Sequence, residues 1–323
     1  MKKIIGIISA DPNSINSEII AKVWKKKRSF AGLNILIIGN FLLLKKQFTK
    51  MGYNFPLHKM NGINKINFKN KLNIFDVPLK FKDPFSVSRV NKVDYIKNSF
   101  EIGLDLIDRK KIIGLINCAI NKNDFQKKEK FYGITEFLAK KKGIYGKEAM
   151  IIYNNSLSVS PVTTHIKLKS VANEISKKKI VYKITSINNF FKKKLKKTAK
   201  IGVLGLNPHN DELKNNSEEK KIIIPAIKLL KKRGVLVYGP ISPDTAFINY
   251  KNKGINVLVG MYHDQVLTPF KAIFKFNAIN VTAGLPFVRV SPDHGVGIDI
   301  IKKNKANPSS LLDSINFFKT INA

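Results

Sequence analysis

Three of the five histidines in this chain of 323 residues lie in short runs of polar and turn-forming residues. The runs are Thr-Thr-His ending at His165, Asn-Pro-His ending at His209, and His-Asp-Gln beginning at His263. Each run follows a predicted β-strand, and open α/β sheets bind their ligands at strand ends. Neutral imidazole is a common ligand of divalent transition metals. The sequence therefore predicts that these histidines hold one metal ion and leave positions open for substrate oxygens.

Polar neighbours could orient these imidazoles or complete a coordination shell, namely Thr164, Asn207 and Asp264. The ligand types leave the identity of the ion open. Imidazole accepts Zn, Co, Ni or Mn, whereas nearby carboxylates and substrate oxygens also permit Mg.

Cationic and amide side chains follow His263 and could bind a phosphate or a carboxylate: Lys271, Asn280 and Arg289. Arg289 is one of only five arginines, and it lies in an apolar stretch where a casual surface charge is unexpected. A planar, bidentate donor at such a place favours anion recognition.

The formal charge of +36, from 58 basic and 22 acidic residues, would ordinarily suggest a nucleic-acid partner. Here the lysines are spread over the whole length, and their densest runs fall within or beside predicted helices, where solvated faces explain them. We therefore expect no nucleic-acid partner. The positive field would still attract an anionic substrate.

The single cysteine, Cys118, excludes an intramolecular disulfide and fits a reducing compartment. Its apolar surroundings predict a small buried side chain rather than a nucleophile. The apolar start of the chain is short and ends at Asp11, so we interpret it as a strand rather than a signal peptide. No stretch reaches the ~18–20 apolar residues that span a bilayer. We expect a cytoplasmic protein with no membrane partner.

Short β-branched runs alternate with segments of helical length, a pattern typical of an α/β fold with parallel strands and crossover helices. The predicted strands are 4–9, 34–38, 112–116, 149–153, 180–184, 201–206, 235–238, 257–261 and 278–282. The predicted helices are 17–28, 99–110, 217–233, 244–251 and 308–319. The segment 53–90 predicts irregular structure with one strand pair. No Gly-x-Gly-x-x-Gly or Walker-type loop follows a strand.

Six segments form a recognisable set: Gly205-Leu206-Asn207-Pro208-His209, Pro240 to Phe247, Met261-Tyr262-His263-Asp264-Gln265, Gly284-Leu285-Pro286 with Arg289, Asp293-His294-Gly295, and Lys305 to Leu312. They resemble the 4-hydroxythreonine-4-phosphate dehydrogenase family of vitamin B6 biosynthesis. The resemblance is dense from Thr163 onward and also includes Asn121-Lys122 and Gly133 to Ala139.

This resemblance implies a homodimer of subunits with two α/β/α domains and an interdomain cleft, related to the isocitrate and isopropylmalate dehydrogenase fold. The approximate domains are 1–130 with 290–323, and 131–289, the latter carrying the metal and dimer contacts. The family's metal ligands correspond to His165, His209 and His263, in a site shared between subunits. Its substrate contacts correspond to Thr135, Lys271, Asn280 and Arg289. We expect Asp244, Asp264 and Lys271 to be catalytic, and Asp293, His294 and Gly295 to lie where NAD or NADP binds.

The activity implied is a metal-dependent oxidation and decarboxylation of 4-phosphooxy-L-threonine to 3-amino-2-oxopropyl phosphate, with NAD as acceptor. Two alternatives stay open because the chain departs from the family pattern. One is a dehydrogenase of D-threonate or D-erythronate 4-phosphate, and the other is a non-catalytic protein that binds a metal or a phosphometabolite.

The departures are specific. Ile134 replaces a substrate-binding histidine, and the glycine-rich first loop reads Ala10 to Glu18. Asn210, Asp211 and Glu212 replace Ala-Gly-Glu after His209. Val296 stands where the family has threonine, and Lys302, Lys303 and Asn304 replace glycines in the region expected to hold the cofactor.

Overall fold

A computed structural model describes residues 3–62, 70–121, 123, 133–275 and 277–321. Lys122 of the family motif lies outside the described residues. Within these ranges no helix combines the length and the apolar character needed to cross a membrane. Strands and helices alternate along the chain, which confirms the predicted α/β class.

The described strands number twelve, several more than the sequence predicted. They are β1 Ile4–Ile8, β2 Asn34–Gly39, β3 Leu57–Met60, β4 Leu72–Asp76, β5 Gly114–Asn117, β6 Ala149–Tyr153, β7 Ser158–Pro161, β8 Ile201–Leu204, β9 Val237–Ile241, β10 Val257–Gly260, β11 Ile279–Ala283 and β12 Val288–Pro292. Four of them, β5, β7, β8 and β10, are buried along their whole length, as strands covered on both faces must be.

The described α-helices are α1 Asn16–Lys25, α2 Phe41–Lys50, α3 Arg89–Asp108, α4 Ile134–Lys141, α5 Val171–Glu174, α6 Lys177–Phe190, α7 Ile224–Lys232, α8 Pro243–Asn249, α9 His263–Phe274 and α10 Ser309–Phe317. A π-helical turn, Glu219–Ile223, leads directly into α7. A short helical turn, Pro208–Leu213, follows β8, and its backbone is left-handed from His209 to Leu213.

The chain divides into two compact units. The domain boundaries predicted from the sequence lie near 130 and 289. The first unit comprises Met1–Gly133 with Phe287–Thr320, and the second comprises Ile134–Pro286 with Ile321–Ala323. In the first unit the strand order is β3-β4-β2-β1-β5-β12, and all its neighbouring strands are parallel.

In the second unit the strand order is β11-β6-β7-β10-β8-β9. The pairs β11–β6 and β6–β7 are antiparallel, whereas β7, β10, β8 and β9 run parallel to one another. A core formed by side chains of β6, β7, β8, β10, α8 and α9 lies against this sheet. These four parallel strands share one carboxyl edge, which fixes where their following loops emerge.

One predicted strand, 180–184, is wrong, because these residues lie inside α6. The β-branched run favours a strand locally. However, the side chain of Ser176 accepts a hydrogen bond from the N–H of Lys179 and caps a helix there. The buried residues Ile180, Ile184 and Ile187 then recur at helical spacing and pack into the core.

The sequence pattern predicts no helix at 41–50, 134–141 or 263–274 and no strand at 158–161 or 288–292, although the structure forms helices and strands there. In the segment 53–90 the expected strand pair is β3 with β4, and it is parallel. Cys118 is fully buried, as predicted, and burial raises the pKa of its thiol to about 12.

Candidate active site

The sheet of the second unit brings the predicted metal ligands to one edge. His165 follows β7, His263 follows β10, His209 follows β8, and Asp244 follows β9. Because these strands are parallel and neighbours in the order β7-β10-β8-β9, the four residues follow the ends of neighbouring strands in that same order. Residues far apart in the chain thus come from adjacent strand ends, which is where such sheets bind ligands.

His165 and His263 lie side by side. Their ring centroids are 6.2 Å apart, with an angle of 37° between the rings. Two imidazole nitrogens that each lie ~2.1 Å from one cation hold their ring centroids at most about 6.5 Å apart. The observed separation lies just within this limit, which is reached only when the two nitrogens lie on nearly opposite sides of the ion.

The ring of His263 is oriented by its neighbour Asp264. Nδ1 lies 2.6 Å from Oδ1 of Asp264, and because a carboxylate oxygen only accepts, Nδ1 carries the proton and donates. This leaves the Nε2 lone pair available to a metal ion. Carboxylate–histidine pairs of this kind commonly fix the tautomer of a metal ligand.

His209 lies close to Asp244. The charge of His209 is one of the causes that lower the pKa of Asp244, after the hydrogen bond from Ser242, which is the largest, and the N–H of Thr245. The Ser242 hydroxyl donates to Oδ1 of Asp244 at 2.7 Å, and the Thr245 N–H donates at 2.9 Å. The Asp244 carboxylate is therefore ionised at neutral pH.

In the described part of a single chain, no group of three or more His, Cys, Asp or Glu side chains is placed to hold a metal ion. His165 and His263 are together, but His209 does not complete a group of three with them within the chain. The types of donor still suit a divalent cation, because the rings of His165 and His263 lie close together and Asp264 fixes the tautomer of His263.

The segment that carries His209 has an uncommon backbone. The φ angles from His209 to Leu213 are 49°, 60°, 47°, 49° and 57°, so five consecutive non-glycine residues are left-handed. Each such residue costs about 1–2 kcal/mol relative to the right-handed conformation. A strained backbone of this kind persists only where its surroundings hold it.

Gln265 joins the loops of His209 and His263. Its Oε1 accepts from the N–H of Met261 at 2.6 Å, and its Nε2 donates to the carbonyl oxygen of Gly205 at 2.8 Å. A Cβ at Gly205 would lie 2.1 Å from Oδ1 of Asn210, so any larger residue there would displace the Asn210 side chain. The hydroxyl of Thr163 donates to the carbonyl oxygen of Met261 at 2.7 Å and ties the His165 loop to the same point.

The predicted substrate contacts of the second unit lie on three elements. Thr135 is near the start of α4, Lys271 is on α9 two turns after His263, and Asn280 is on β11. Oδ1 of Asn280 is buried and accepts no hydrogen bond from the described protein atoms. A buried carbonyl oxygen without a donor is costly, so this atom is suited to receive one from a ligand.

Arg289 lies in the first unit, on β12, and is only 3% exposed. Its Nε donates to Oδ1 of Asn117, on β5, at 2.7 Å. The arginine is therefore a buried side chain fixed within the sheet, in agreement with the apolar stretch in which it occurs.

The three residues expected to contact the cofactor form a short turn after β12. The N–H of Asp293 donates to the hydroxyl of Ser310 at 2.7 Å, and Nδ1 of His294 lies 2.9 Å from the carbonyl oxygen of Gly295. Since a carbonyl oxygen only accepts, Nδ1 of His294 carries the proton. Burial lowers the pKa of His294, although the Gly295 carbonyl and the charge of Asp293 oppose that shift. The neutral ring presents Nε2 as an acceptor, and no described protein atom donates to it.

A family model described as "Pyridoxal phosphate biosynthetic protein PdxA" matches residues 32–318. The chain belongs to this family. A 4-hydroxythreonine-4-phosphate dehydrogenase of Sulfurihydrogenibium sp. is 37% identical over 319 residues, covering 96% of each chain. A D-threonate 4-phosphate dehydrogenase of Pectobacterium atrosepticum is 30% identical and covers 98% of each.

Solved structures give the same assignment. A 4-hydroxythreonine-4-phosphate dehydrogenase of Klebsiella pneumoniae superposes with a TM-score of 0.84 at 28% identity, covering 97% of this chain and 98% of that one. The corresponding enzyme of Burkholderia phymatum gives a TM-score of 0.85 at 27% identity, covering 100% and 99%. The PdxA fold thus extends over both units.

Three residues of the first unit have a left-handed backbone without being glycine. Ala10, Lys302 and Asn304 have φ angles of 58°, 65° and 55°, at positions where the family resemblance implies glycine. Lys302 also lies over the ring of Phe85, with Nζ 4.8 Å from its centroid.

Sequence reasoning missed Glu219, a fully buried carboxylate that holds the His209 loop. It also assigned no role to Gln265, although this residue lies in the quoted Met-Tyr-His-Asp-Gln motif. A signal for Glu219 was available, because Glu218 and Glu219 are adjacent in a chain with only 22 acidic residues.

Proposed function

We propose that this chain oxidises and decarboxylates 4-phosphooxy-L-threonine to 3-amino-2-oxopropyl phosphate and CO2, with NAD or NADP as the hydride acceptor. The observation that carries the proposal is the paired rings of His165 and His263, with Asp264 on Nδ1 of His263. It is supported by relatives named 4-hydroxythreonine-4-phosphate dehydrogenase at 37% identity over nearly the whole chain.

In this proposal His165, His209 and His263 hold a divalent cation. When bound, such an ion would favour ionisation of the substrate alcohol and would stabilise the negative charge that develops during decarboxylation. Asp264 keeps His263 in the ligating tautomer. Thr135, Asn280 and Arg289 bind the polar groups of the substrate, and Asp293, His294 and Gly295 contact the cofactor.

The substrate's hydroxyl proton passes to the ionised carboxylate of Asp244. NAD or NADP, held at Asp293, His294 and Gly295, would supply the acceptor for the hydride on the same carbon. The resulting β-keto acid then breaks its bond to the carboxylate, CO2 leaves, and the electron pair remains as an enolate. The ammonium group of Lys271 donates the proton that completes the product.

We further propose that the enzyme is a homodimer whose active site contains residues of both subunits. Large apolar side chains are exposed in the segments that carry or follow the site residues: Ile166, Leu168, Leu213, Ile248 and Ile273. Exposed apolar side chains near a functional site are typical of an interface when they form one patch. A shared site would also explain why the described residues of one chain supply only an incomplete ligand set.

Buried, protonated Cys118 is compatible with the cytoplasmic location that we propose.

The test is turnover by purified protein loaded with Mg, Zn or Co, using 4-phosphooxy-L-threonine and NAD or NADP. We expect formation of reduced cofactor that ends after removal of the metal by a chelator and returns when metal is added back. Substrate binding by calorimetry without any reduced cofactor would contradict the proposal and favour a non-catalytic binding protein.

D-Threonate 4-phosphate is a second candidate substrate. It is favoured by Ile134, which removes the imidazole donor that the family places beside Thr135, and by the relative at 30% identity. Comparison of kcat/KM for the two compounds under the same conditions decides between them. A higher kcat/KM for D-threonate 4-phosphate would replace the first candidate.

A further inference from the structure

The loop that carries His209 is anchored by the buried carboxylate of Glu219. Oε1 of Glu219 accepts from the N–H of Leu206 at 2.7 Å and from the N–H of Asn207 at 2.9 Å. Glu219 is 0% exposed and begins the π-helical turn that leads into α7. The two peptide groups that precede Pro208 are thus fixed by a side chain on a helical element.

The same carboxylate also binds the side chain of Asn207. Nδ2 of Asn207 donates to Oε2 of Glu219 at 3.1 Å and to Oε2 of Glu218 at 2.8 Å. Asn207, only two residues before His209, is therefore held through both its backbone and its side chain.

The anchor lies directly before the left-handed segment. From His209 to Leu213 every residue has a positive φ, and such a segment relaxes unless neighbouring contacts oppose it. The N–H of Asn210 donates to the carbonyl oxygen of Asn207 at 3.1 Å, so the turn is built on the residue that Glu219 holds. Release of Asn207 would allow the turn to change hand and would displace His209.

Gln265 gives the anchored loop a fixed relation to His263. It bridges the carbonyl oxygen of Gly205 and the N–H of Met261, at the ends of β8 and β10. A shift of the Gly205–Asn207 loop therefore changes the relation between the loops of His209 and His263.

We propose that Glu219 is a positioning residue that acts through His209 on metal binding. The inference rests on the proposed function, in which His209 is a metal ligand. Glu219 contacts the loop and not the ring, so its effect reaches the ion through the backbone between Asn207 and His209.

The direct test is Glu219→Gln in the full-length protein, measured by titration of the metal-free form with Co²⁺. The amide keeps the volume but has only one acceptor oxygen, so either the two backbone N–H groups or Nδ2 of Asn207 must face an NH2 group. We expect the Co²⁺ Kd to rise about 10–100-fold and the visible absorption of bound cobalt to change. Glu148→Gln is the matched control, because Glu148 is also a buried carboxylate of the second unit but lies beside Lys183 and not beside a histidine loop. It should leave the Kd and the spectrum unchanged.

A double-mutant cycle separates positioning from general stability. If Glu219 acts through His209, then Glu219→Gln adds no further loss of Co²⁺ affinity in a His209→Ala background. An equal loss in both backgrounds would overturn the proposal. So would a Glu219→Gln protein that loses thermal stability but binds Co²⁺ with wild-type affinity and spectrum.

Should Glu219→Gln not fold, Asn207→Ser removes only the side-chain part of the anchor. We expect a smaller rise in the Co²⁺ Kd in the same direction, and an unchanged Kd would contradict the inference. The cobalt readout does not require turnover. Absence of reduced cofactor in the wild-type protein would therefore refute the proposed function and leave the role of Glu219 to be judged on its own data.

Discussion

The loops around the histidines of the second unit and the loops around Ala10 and Lys302 of the first unit are held in different ways. In the second unit, side chains fix the loops. Gln265 bridges two strand ends, and Glu219 accepts hydrogen bonds from the residues before His209. In the first unit, Ala10 and Lys302 have a left-handed backbone at positions where the family resemblance implies glycine. Hydrogen bonds from side chains therefore hold the first set of loops, whereas the second set keeps a strained backbone conformation without glycine.

This difference has a physical basis. A ligand to a metal is defined by its atoms, so a histidine has no substitute of equal geometry. A turn is defined by φ and ψ, which a non-glycine residue can adopt at a cost of about 1–2 kcal/mol if its neighbours hold it. Mutations in the two regions should therefore differ in kind as well as in size.

The largest expected effect is that of His263→Ala, which removes one of the proposed metal ligands. We expect kcat/KM to fall by at least ~100-fold, since loss of the ion removes several kcal/mol of transition-state stabilisation and each 1.36 kcal/mol is tenfold. Steady-state kinetics with matched metal loading measures this. The unfolding midpoint of the metal-free protein should hardly move, and wild-type kcat/KM in the variant would exclude His263 as a ligand.

Asp264→Asn should have a smaller effect on the same readouts. The hydrogen bond to Nδ1 of His263 can persist, but the negative charge that supports the ligand is lost. We expect metal affinity to fall by about 10-fold, the low end for such partners, because the Asp264 side chain is 77% exposed. Calorimetric titration with the metal is the measurement. An unchanged affinity would show that the carboxylate does not support the ligand.

Ala10→Gly should stabilise the first unit. Ala10 is buried at φ 58°, and glycine removes most of the steric cost of that conformation while adding backbone entropy to the unfolded state. We expect a gain of up to ~1 kcal/mol in the free energy of unfolding, measured by urea denaturation. The control Ala21→Gly, equally buried but inside α1, should instead lose about 1 kcal/mol or more. Destabilisation by both variants would show that the turn at Ala10 is not strained.

The smallest effect concerns His294 and pH. Its pKa is lowered from 6.5 chiefly by burial, so the unfolded chain binds a proton at pH values where the folded chain does not. The stabilising contribution is therefore complete above pH 6.5 and is lost as pH falls through the lowered pKa. His294→Gln should reduce the slope of unfolding free energy against pH below 6.5. An identical slope in the variant would mean that His294 titrates normally.

The sequence alone determined those features of the protein that depend on short stretches of residues. The α/β class follows from alternating β-branched and helical segments, and the PdxA family follows from motifs such as Met261 to Gln265. Candidate ligands could be named because histidine chemistry belongs to the residue itself. Periodicity failed at 180–184, where an N-terminal cap at Ser176 outweighed the strand propensity of the run.

Tertiary structure alone decided which of these residues meet. The order β7-β10-β8-β9 brings His165 beside His263 across nearly one hundred residues of chain, and no local pattern encodes that order. The same holds for Glu219 and the left-handed turn after Pro208, since a strained backbone is fixed by contacts with distant groups and not by the preferences of its own residues. Strand ends converge because the sheet is assembled from non-consecutive segments, and that assembly is a property of the whole fold.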